Sequence, residues 1–122
     1  MKSIYFLFTF LLISVTSIAA PSDLSIADMS VDGLTVKNLK CHLDEGNFLS
    51  LLTVVTSLAQ QKDKYAACGL SKTPFDASWT WGAATKAEIA QIPDAAKGSC
   101  AKKALQESKG PSGNCSATII AP

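Results

Sequence analysis

Apolar and polar residues alternate from Leu24 to Leu43, and the two halves of this stretch mirror each other around Asp32-Gly33. An Asp-Gly pair between alternating runs is a strong signal for a two-residue β-hairpin. The alternation slips at Lys37-Asn38 and then resumes, which is typical of a β-bulge that re-aims the strand. We therefore expect the fold to begin with a hairpin whose second strand bends.

A helical pattern follows, with Asn47 as its N-cap. Its apolar positions recur with helical spacing and predict a buried stripe formed by Phe48, Leu51, Leu52, Val55, Leu58 and Ala59. The helix carries no charge up to Gln61, and it is expected to continue towards Tyr65 and to stop at Cys68-Gly69. A second helix is predicted from Pro93-Asp94 to about Ser108.

Three further segments have the period of strands. Residues Phe75 to Trp81 alternate apolar and polar, and so do residues Cys115 to Ile120. The stretch from Lys86 to Ile92 is ambiguous, because Thr85 and Glu88 could form a helix capping box, whereas the preceding strand and a nearby glycine favour the return arm of a hairpin. We favour the strand.

After the leading hairpin, the order of elements is strand, helix, strand, strand, helix, strand, which predicts an α+β, ferredoxin-like split βαβ sandwich. Two helices would cover one face of an antiparallel sheet and leave the other face polar. The residues expected on that polar face are Lys40, His42, Ser78, Thr80, Ser116 and Thr118.

The first residues of the 122-residue chain have the features of a secretory signal peptide. Lys2 precedes an apolar core from Ile4 to Val15, and Ser17-Ile18-Ala19 fits the small-x-small cleavage pattern. Proline after the scissile bond is poorly tolerated, so we expect cleavage after Ala19, before Ala20-Pro21. The predicted organisation is a signal peptide over 1–19 and one domain over 20–122, without stable membrane insertion.

The charge balance excludes one class of partner. The chain has 11 lysines, 10 acidic residues and no arginine, and removal of the signal peptide leaves 10 lysines against 10 acidic residues. A neutral chain without arginine lacks the cationic footprint of a nucleic-acid binder. We expect no nucleic-acid partner and no cofactor.

Four cysteines in a small exported domain indicate a disulfide framework with three conceivable connectivities. A zinc site is the competing interpretation, but the chain has one histidine and no Cys-x-x-Cys pair. In the proposed sheet the first and last core strands are neighbours and the helices lie side by side, which pairs Cys41 with Cys115 and Cys68 with Cys100. Sequential pairing in an all-β fold, with Tyr65 to Gly69 on a strand, is the alternative.

This cysteine placement resembles small secreted cysteine-rich fungal proteins of the killer-toxin-like effector group, over residues 34–120. A second resemblance, to periplasmic domains similar to the TonB C-terminal domain, rests on Ser99 to Leu105 and Asn114 to Ile120. Both resemblances imply binding rather than chemistry, and neither transfers a site residue.

His42 is the candidate for chemistry, because Asp44 shares its strand face and Ser116 is expected on a neighbouring strand, as in a Ser-His-Asp set. His42, Asp44 and Glu45 could also hold a metal ion. The competing interpretation is an exposed polar strand face, since alternate residues always share a face.

Three other features have two interpretations each. Trp79 and Trp81 could form a stacking platform, but their apolar row favours the core. The uncharged helix could be membrane-active, but its stripe suits a core. Asn114 begins a glycosylation sequon whose middle residue is Cys115.

The sequence thus favours a secreted, non-enzymatic interaction protein, an effector or toxin-like virulence module that acts on a protein or glycan partner outside the cell. A small exported hydrolase that uses His42, or an envelope binding domain, is the alternative. The protein would be extracellular, or periplasmic if its source is a Gram-negative bacterium.

Overall fold

A computed structural model describes residues 22–90 and 92–122, so the predicted signal peptide and its cleavage site lie outside the described residues. The described chain contains β1 (Ser22–Val31), β2 (Leu34–Leu43), α1 (Phe48–Ala59), α2 (Lys62–Tyr65), a π-helical turn (Ala66–Leu70), β3 (Phe75–Trp81), β4 (Lys86–Ile89), α3 (Ala95–Gln106) and β5 (Gly113–Ile120).

The leading hairpin has the predicted turn. Asp32 and Gly33 have φ angles of 53° and 85°, as a type I′ turn requires at both central residues. The predicted irregularity in β2 is also present, because the pairing of β2 with β5 shifts register between Lys37 and Lys40. Asn38 adopts a φ of 53° there, a left-handed conformation that asparagine tolerates better than most residues. The hairpin and the bulge are confirmed.

All five strands form one antiparallel sheet with the order β1-β2-β5-β3-β4. The last strand lies between β2 and β3, so each of the two β-α-β units is split by one intervening strand. The predicted α+β class, with the first and last core strands as neighbours, is confirmed. The segment predicted from Lys86 to Ile92 is a strand, and it ends at Ile89.

The helices pack on one face of the sheet. Asn47 caps α1 by accepting a hydrogen bond from the Leu49 backbone at 2.9 Å, and α1 covers β1 and β2. Asp94 caps α3 in the same way through Ala96, at 2.9 Å, and α3 packs against β4. The predicted long first helix is interrupted after α1, restarts as α2, and ends in the π-helical turn where Gly69 has a φ of 83°.

The buried stripe of α1 differs from the predicted one. Phe48 and Leu52 are 61% and 49% exposed, and Val54 is buried instead, together with Leu51, Val55, Leu58 and Ala59. The prediction is confirmed at Leu51, Val55, Leu58 and Ala59. It was wrong at Phe48 and Leu52 because α1 is apolar at most of its positions, so its sequence contains two overlapping stripes with helical spacing. Packing against β1 and β2 selects between them, and periodicity alone does not.

The tryptophans belong to the core, as predicted. Trp79 and Trp81 are 3% and 2% exposed, with ring centroids 5.7 Å apart in an edge-on arrangement. Trp81 donates its indole N–H to the buried Ser108 hydroxyl at 3.1 Å. Tyr65 is also buried, and this burial raises the pKa of its hydroxyl. The helix-covered face of β3 thus supplies the largest part of the aromatic core.

Two disulfides staple the fold in the predicted pairs. Cys41 and Cys115 lie directly opposite each other on β2 and β5, with Cα atoms 4.1 Å apart. Cys68 and Cys100 join the π-helical turn to α3, with Cα atoms 5.6 Å apart. The sequential pairing of the all-β alternative is therefore wrong.

Candidate functional site

Two rows of polar side chains cross the face of the sheet that the helices leave uncovered, which we call the open face. Read from β1 to β4, the first row is Asp23, His42, Asn114, Thr80 and Lys86. The second row is Ser25, Lys40, Ser116, Ser78 and Glu88. All ten residues line one groove of about 640 Å³.

The rows follow from strand alternation. Successive side chains of a strand point to opposite faces, so each residue of the open face is flanked in sequence by residues that face the core. The middle of the groove, on β5 and β3, presents three hydroxyls and one amide, from Ser116, Ser78, Thr80 and Asn114. Charged residues flank this middle on β2 and β4. The groove therefore has a neutral, hydrogen-bonding floor between charged borders.

The Cys41–Cys115 disulfide, on the core side of the sheet, holds the two strands β2 and β5 of the groove together. Cys41 lies between Lys40 and His42 in the sequence, and Cys115 lies between Asn114 and Ser116, so the disulfide of β2 with β5 ties these four positions together. Gly113 permits the close approach of these strands, because its φ is 146° and a Cβ atom there would lie 2.3 Å from the His42 carbonyl oxygen. The groove is thus built on covalently linked strands.

His42 is hydrogen-bonded to Asp23 on β1. The His42 Nδ1 and the Asp23 Oδ1 are 2.6 Å apart. A carboxylate can only accept, so Nδ1 donates and Nε2 is the ring nitrogen that this bond leaves unused. The side chains are 51% and 87% exposed, so solvent screens this pair. It is an oriented surface histidine rather than a buried catalytic dyad.

Of the predicted Ser-His-Asp set, His42 and Ser116 line the same groove, whereas Asp44 does not. Asp44 lies beyond the end of β2, where its backbone N–H donates to the Ser112 carbonyl at 2.9 Å. Ser116 is opposite Lys40 rather than His42. Sequence reasoning missed Asp23, although a signal existed: the two-residue turn fixes the register of the hairpin, and counting outward from it places Asp23 opposite His42.

The predicted metal set of His42, Asp44 and Glu45 is also separated. Asp44 and Glu45 line a different cavity, beside Pro111 and Ser112, whereas His42 lines the groove. Across residues 22–90 and 92–122, no group of three or more His, Cys, Asp or Glu residues is close enough to hold a metal ion.

Asn114, the sequon residue, is exposed in the centre of the groove and stands between His42 and Thr80. A glycan attached to it would fill the groove. Binding of a ligand there and glycosylation of Asn114 are therefore mutually exclusive.

A second surface feature lies at the start of α1, where Phe48, Leu49 and Leu52 are exposed. They form an apolar patch on the helix that carries no charge. Among the described helices, none is long and apolar enough to cross a membrane. Asp44 and Glu45 precede this patch in the sequence, so acidic groups lie close to it in the chain.

Comparisons of the chain with protein-family models, with curated proteins and with solved structures find no match.

Proposed function

We propose that this protein is an exported, non-enzymatic interaction module, of effector or toxin-like character, that binds a protein or glycan outside the cell through its open face. The observation that carries this proposal is the groove: ten polar side chains in two ordered rows, on strands held by a disulfide, next to solvent. A fixed array of hydrogen-bonding groups binds a partner with little ordering of its own side chains.

The second candidate is a small exported hydrolase in which Asp23 orients His42 as a general base. The 2.6 Å contact between the two side chains favours it. Against it stands the position of Ser116, which is paired with Lys40 and does not face His42 directly. Binding is the better supported of the two functions.

The localisation is part of the proposal. The two disulfides are compatible with an oxidising compartment outside the cytoplasm, and we propose secretion, or a periplasmic site in a Gram-negative source. The ferredoxin-like assignment is likewise a proposal, supported by the β-α-β-β-α-β order of elements from β2 onward.

The test compares three forms of the folded protein for binding to intact target cells. Ser116→Leu fills the middle of the groove with an uncharged side chain, and Ser99→Leu adds the same side chain to an exposed position of α3, on the helical side of the molecule. We expect Ser116→Leu to abolish binding and Ser99→Leu to retain it. Equal binding by all three proteins would contradict the use of the open face.

His42→Ala separates binding from catalysis. A hydrolase that depends on His42 should lose turnover of cell-wall, lipid, protein or RNA substrates, whereas a binding module should keep its biological effect. Turnover by the wild-type protein that disappears in His42→Ala would favour the hydrolase.

A further inference from the structure

The groove contains a group of four polar side chains on β2 and β5, three of which have no internal partner in the described part of the chain. On β2, Lys40 and His42 lie opposite Ser116 and Asn114 of β5. These two opposed pairs enclose one small area of the sheet surface, which we call the cell. Directly opposed Cβ atoms on neighbouring antiparallel strands lie about 4.5–5.5 Å apart. Within the described residues, the side chains of Lys40, Asn114 and Ser116 have no hydrogen-bond or ion-pair partner. An ammonium, an amide and a hydroxyl thus surround one small area of surface.

Two carboxylates near this cell each accept a hydrogen bond from a residue other than Lys40. On one side the Asp23 carboxylate accepts from His42. On the side of β3 the Asp76 carboxylate accepts from the Thr118 hydroxyl at 2.5 Å. Since neither acid forms an ion pair with Lys40, the ammonium is available to an anion from solution. Ammonium, amide and hydroxyl groups together satisfy several oxygens of a carboxylate or sulfate group.

A second cation stands at the far side of the floor. Lys86 on β4 is three strand spacings from Lys40, about 14 Å between the backbones. In the described structure Lys86 has no ion-pair partner, whereas the neighbouring Glu88 carboxylate lies 3.6 Å from the Lys102 ammonium. Between the two cations lie Ser78 and Thr80, whose hydroxyls suit the neutral hydroxyls of a ligand. A chain that carries repeated negative charges between hydroxyl-bearing units matches this order.

The chemistry favours an acidic polysaccharide over an acidic peptide. Extended peptides gain affinity chiefly from backbone hydrogen bonds at a sheet edge and specificity from pockets for alternate side chains. The middle strands of this sheet are already paired on both sides, and their apolar side chains point into the core. What the floor offers is a row of side-chain donors and acceptors.

We propose, resting on the proposed use of the open face, that the groove binds an acidic polysaccharide, with a carboxylate or sulfate group in the cell formed by Lys40, His42, Asn114 and Ser116. Within the cell, the Lys40 ammonium contacts the carboxylate or sulfate group. The hydroxyls of Ser78 and Thr80 contact the neutral part of the chain, and Lys86 contacts a second anionic group.

The experiment titrates the intact, oxidised protein with polygalacturonate, dextran sulfate, neutral dextran and poly-glutamate, by calorimetry and by NMR of the backbone amides. Polygalacturonate supplies carboxylates and dextran sulfate supplies sulfates, so the two arms separate the two sources of the anion. We expect at least one acidic glycan to bind, with the largest amide shifts at Asn114, Ser116 and Ser78. Neutral dextran should cause no comparable shift.

Two lysines of β2 give a matched pair of variants. Lys40 lies in the groove, whereas Lys37 does not line it and stands opposite Asp28 and Thr118 on the other side of the bulge. Lys40→Gln removes a charged hydrogen bond and should weaken glycan binding about tenfold. Lys37→Gln, with the same change of net charge, should weaken it by less than about twofold.

A third variant tests the length of the site. Lys86→Gln should weaken binding of the polymer and leave binding of a short fragment with one acidic group unchanged, because only the polymer reaches both cations. An equal loss for polymer and fragment would contradict a site that spans the floor.

Three results would overturn the proposal. They are the absence of binding by both acidic glycans, equal losses for Lys40→Gln and Lys37→Gln, and binding of poly-glutamate as tight as that of the glycans. If glycans do not bind while Ser116→Leu still abolishes binding to target cells, the ligand class is wrong and the use of the open face stands. If Ser116→Leu binds target cells normally, the proposed function itself is wrong.

Discussion

The covered and open faces of the sheet are formed by adjacent residues of the same strands, and they differ in what they contribute. In β3 the buried Trp79 ring lies among the core aromatics, whereas the next side chain, Thr80, reaches solvent in the groove. In β2 and β5 the buried disulfide alternates with Lys40, His42 and Ser116. The packed core thus lies on one side of the strands and the solvent-facing polar groups lie on the other, and adjacent residues of one strand belong to different sides.

The largest expected effects, of similar size, come from the buried tryptophans of the covered face and from the disulfides. Trp79→Ala should lower the free energy of unfolding by about 3–5 kcal/mol, because it leaves a cavity among packed aromatics. Chemical denaturation measures the loss. Thr80→Ala is the matched control on the open face, and it should change stability by no more than about 0.5 kcal/mol. The native tryptophan fluorescence should be blue-shifted and poorly quenched by iodide, and strong quenching would contradict the burial of both rings.

Removing each disulfide measures how much it contributes to the free energy of unfolding. A disulfide stabilises the folded state by restricting the unfolded chain, and the effect grows with the sequence separation of the two cysteines. The separations of 74 and 32 residues predict a stabilisation of about 4.4 kcal/mol by Cys41–Cys115 and about 3.7 kcal/mol by Cys68–Cys100. Paired substitution of each set by alanine, followed by denaturation, measures the difference.

Because Cys100 is exposed and Cys41 is buried, dithiothreitol should reduce Cys68–Cys100 first. Reduction in the opposite order would contradict the placement of the two bonds.

A smaller effect is expected at Gly113, the first residue of β5. Gly113→Ala forces a Cβ atom to within 2.3 Å of the His42 carbonyl oxygen at a φ of 146°, and strain of this kind costs about 1–3 kcal/mol. The thermal midpoint should fall accordingly. Gly82→Ala is the control, because a Cβ atom there meets nothing within 4 Å. An equal fall for both variants would contradict the close approach of β5 to β2.

The smallest effect concerns a surface ion pair on the helical side of the molecule. The Lys64 ammonium donates to the Glu107 carboxylate, and this bond lowers the pKa of Glu107. A carboxyl whose pKa is lower in the folded protein adds stability above its unfolded pKa of about 4.3, and this contribution is lost as the pH falls through the folded pKa. Glu107→Gln should therefore flatten the decline of the thermal midpoint on acidification. Glu88→Gln is the control, and an identical change in both would contradict a specific role for the Lys64 contact.

Much of the fold could be predicted from the sequence, because its signals are local. Asp32-Gly33 specifies the hairpin turn, the slip at Lys37-Asn38 specifies the bulge, and the alternation around Trp79 specifies a buried row. The disulfide pairs followed from placing the first and last core strands side by side. Each of these predictions is confirmed, because each depends on turn chemistry or on the period of a strand.

The errors arose where packing chooses between equivalent local patterns. Phe48 and Leu52 fit a helical stripe as well as Val54 does, and the contact of α1 with β1 decided which side is buried. The candidate site failed for a related reason. Asp44 is close to His42 in the sequence, but β2 ends between them, and the carboxylate that contacts His42 comes from β1 across the hairpin.

The two-residue alternation of the strands also affects how this surface can evolve. Because the side chains at Ser78 and Ser116 lie on the face opposite the core, substitutions there should change stability only a little. Many combinations of side chains on the open face are then compatible with one scaffold. A lineage that must follow a changing target could replace these residues repeatedly while Trp79 and the Cys41–Cys115 bond stay constant, so the sheet works as a fixed frame for a variable surface.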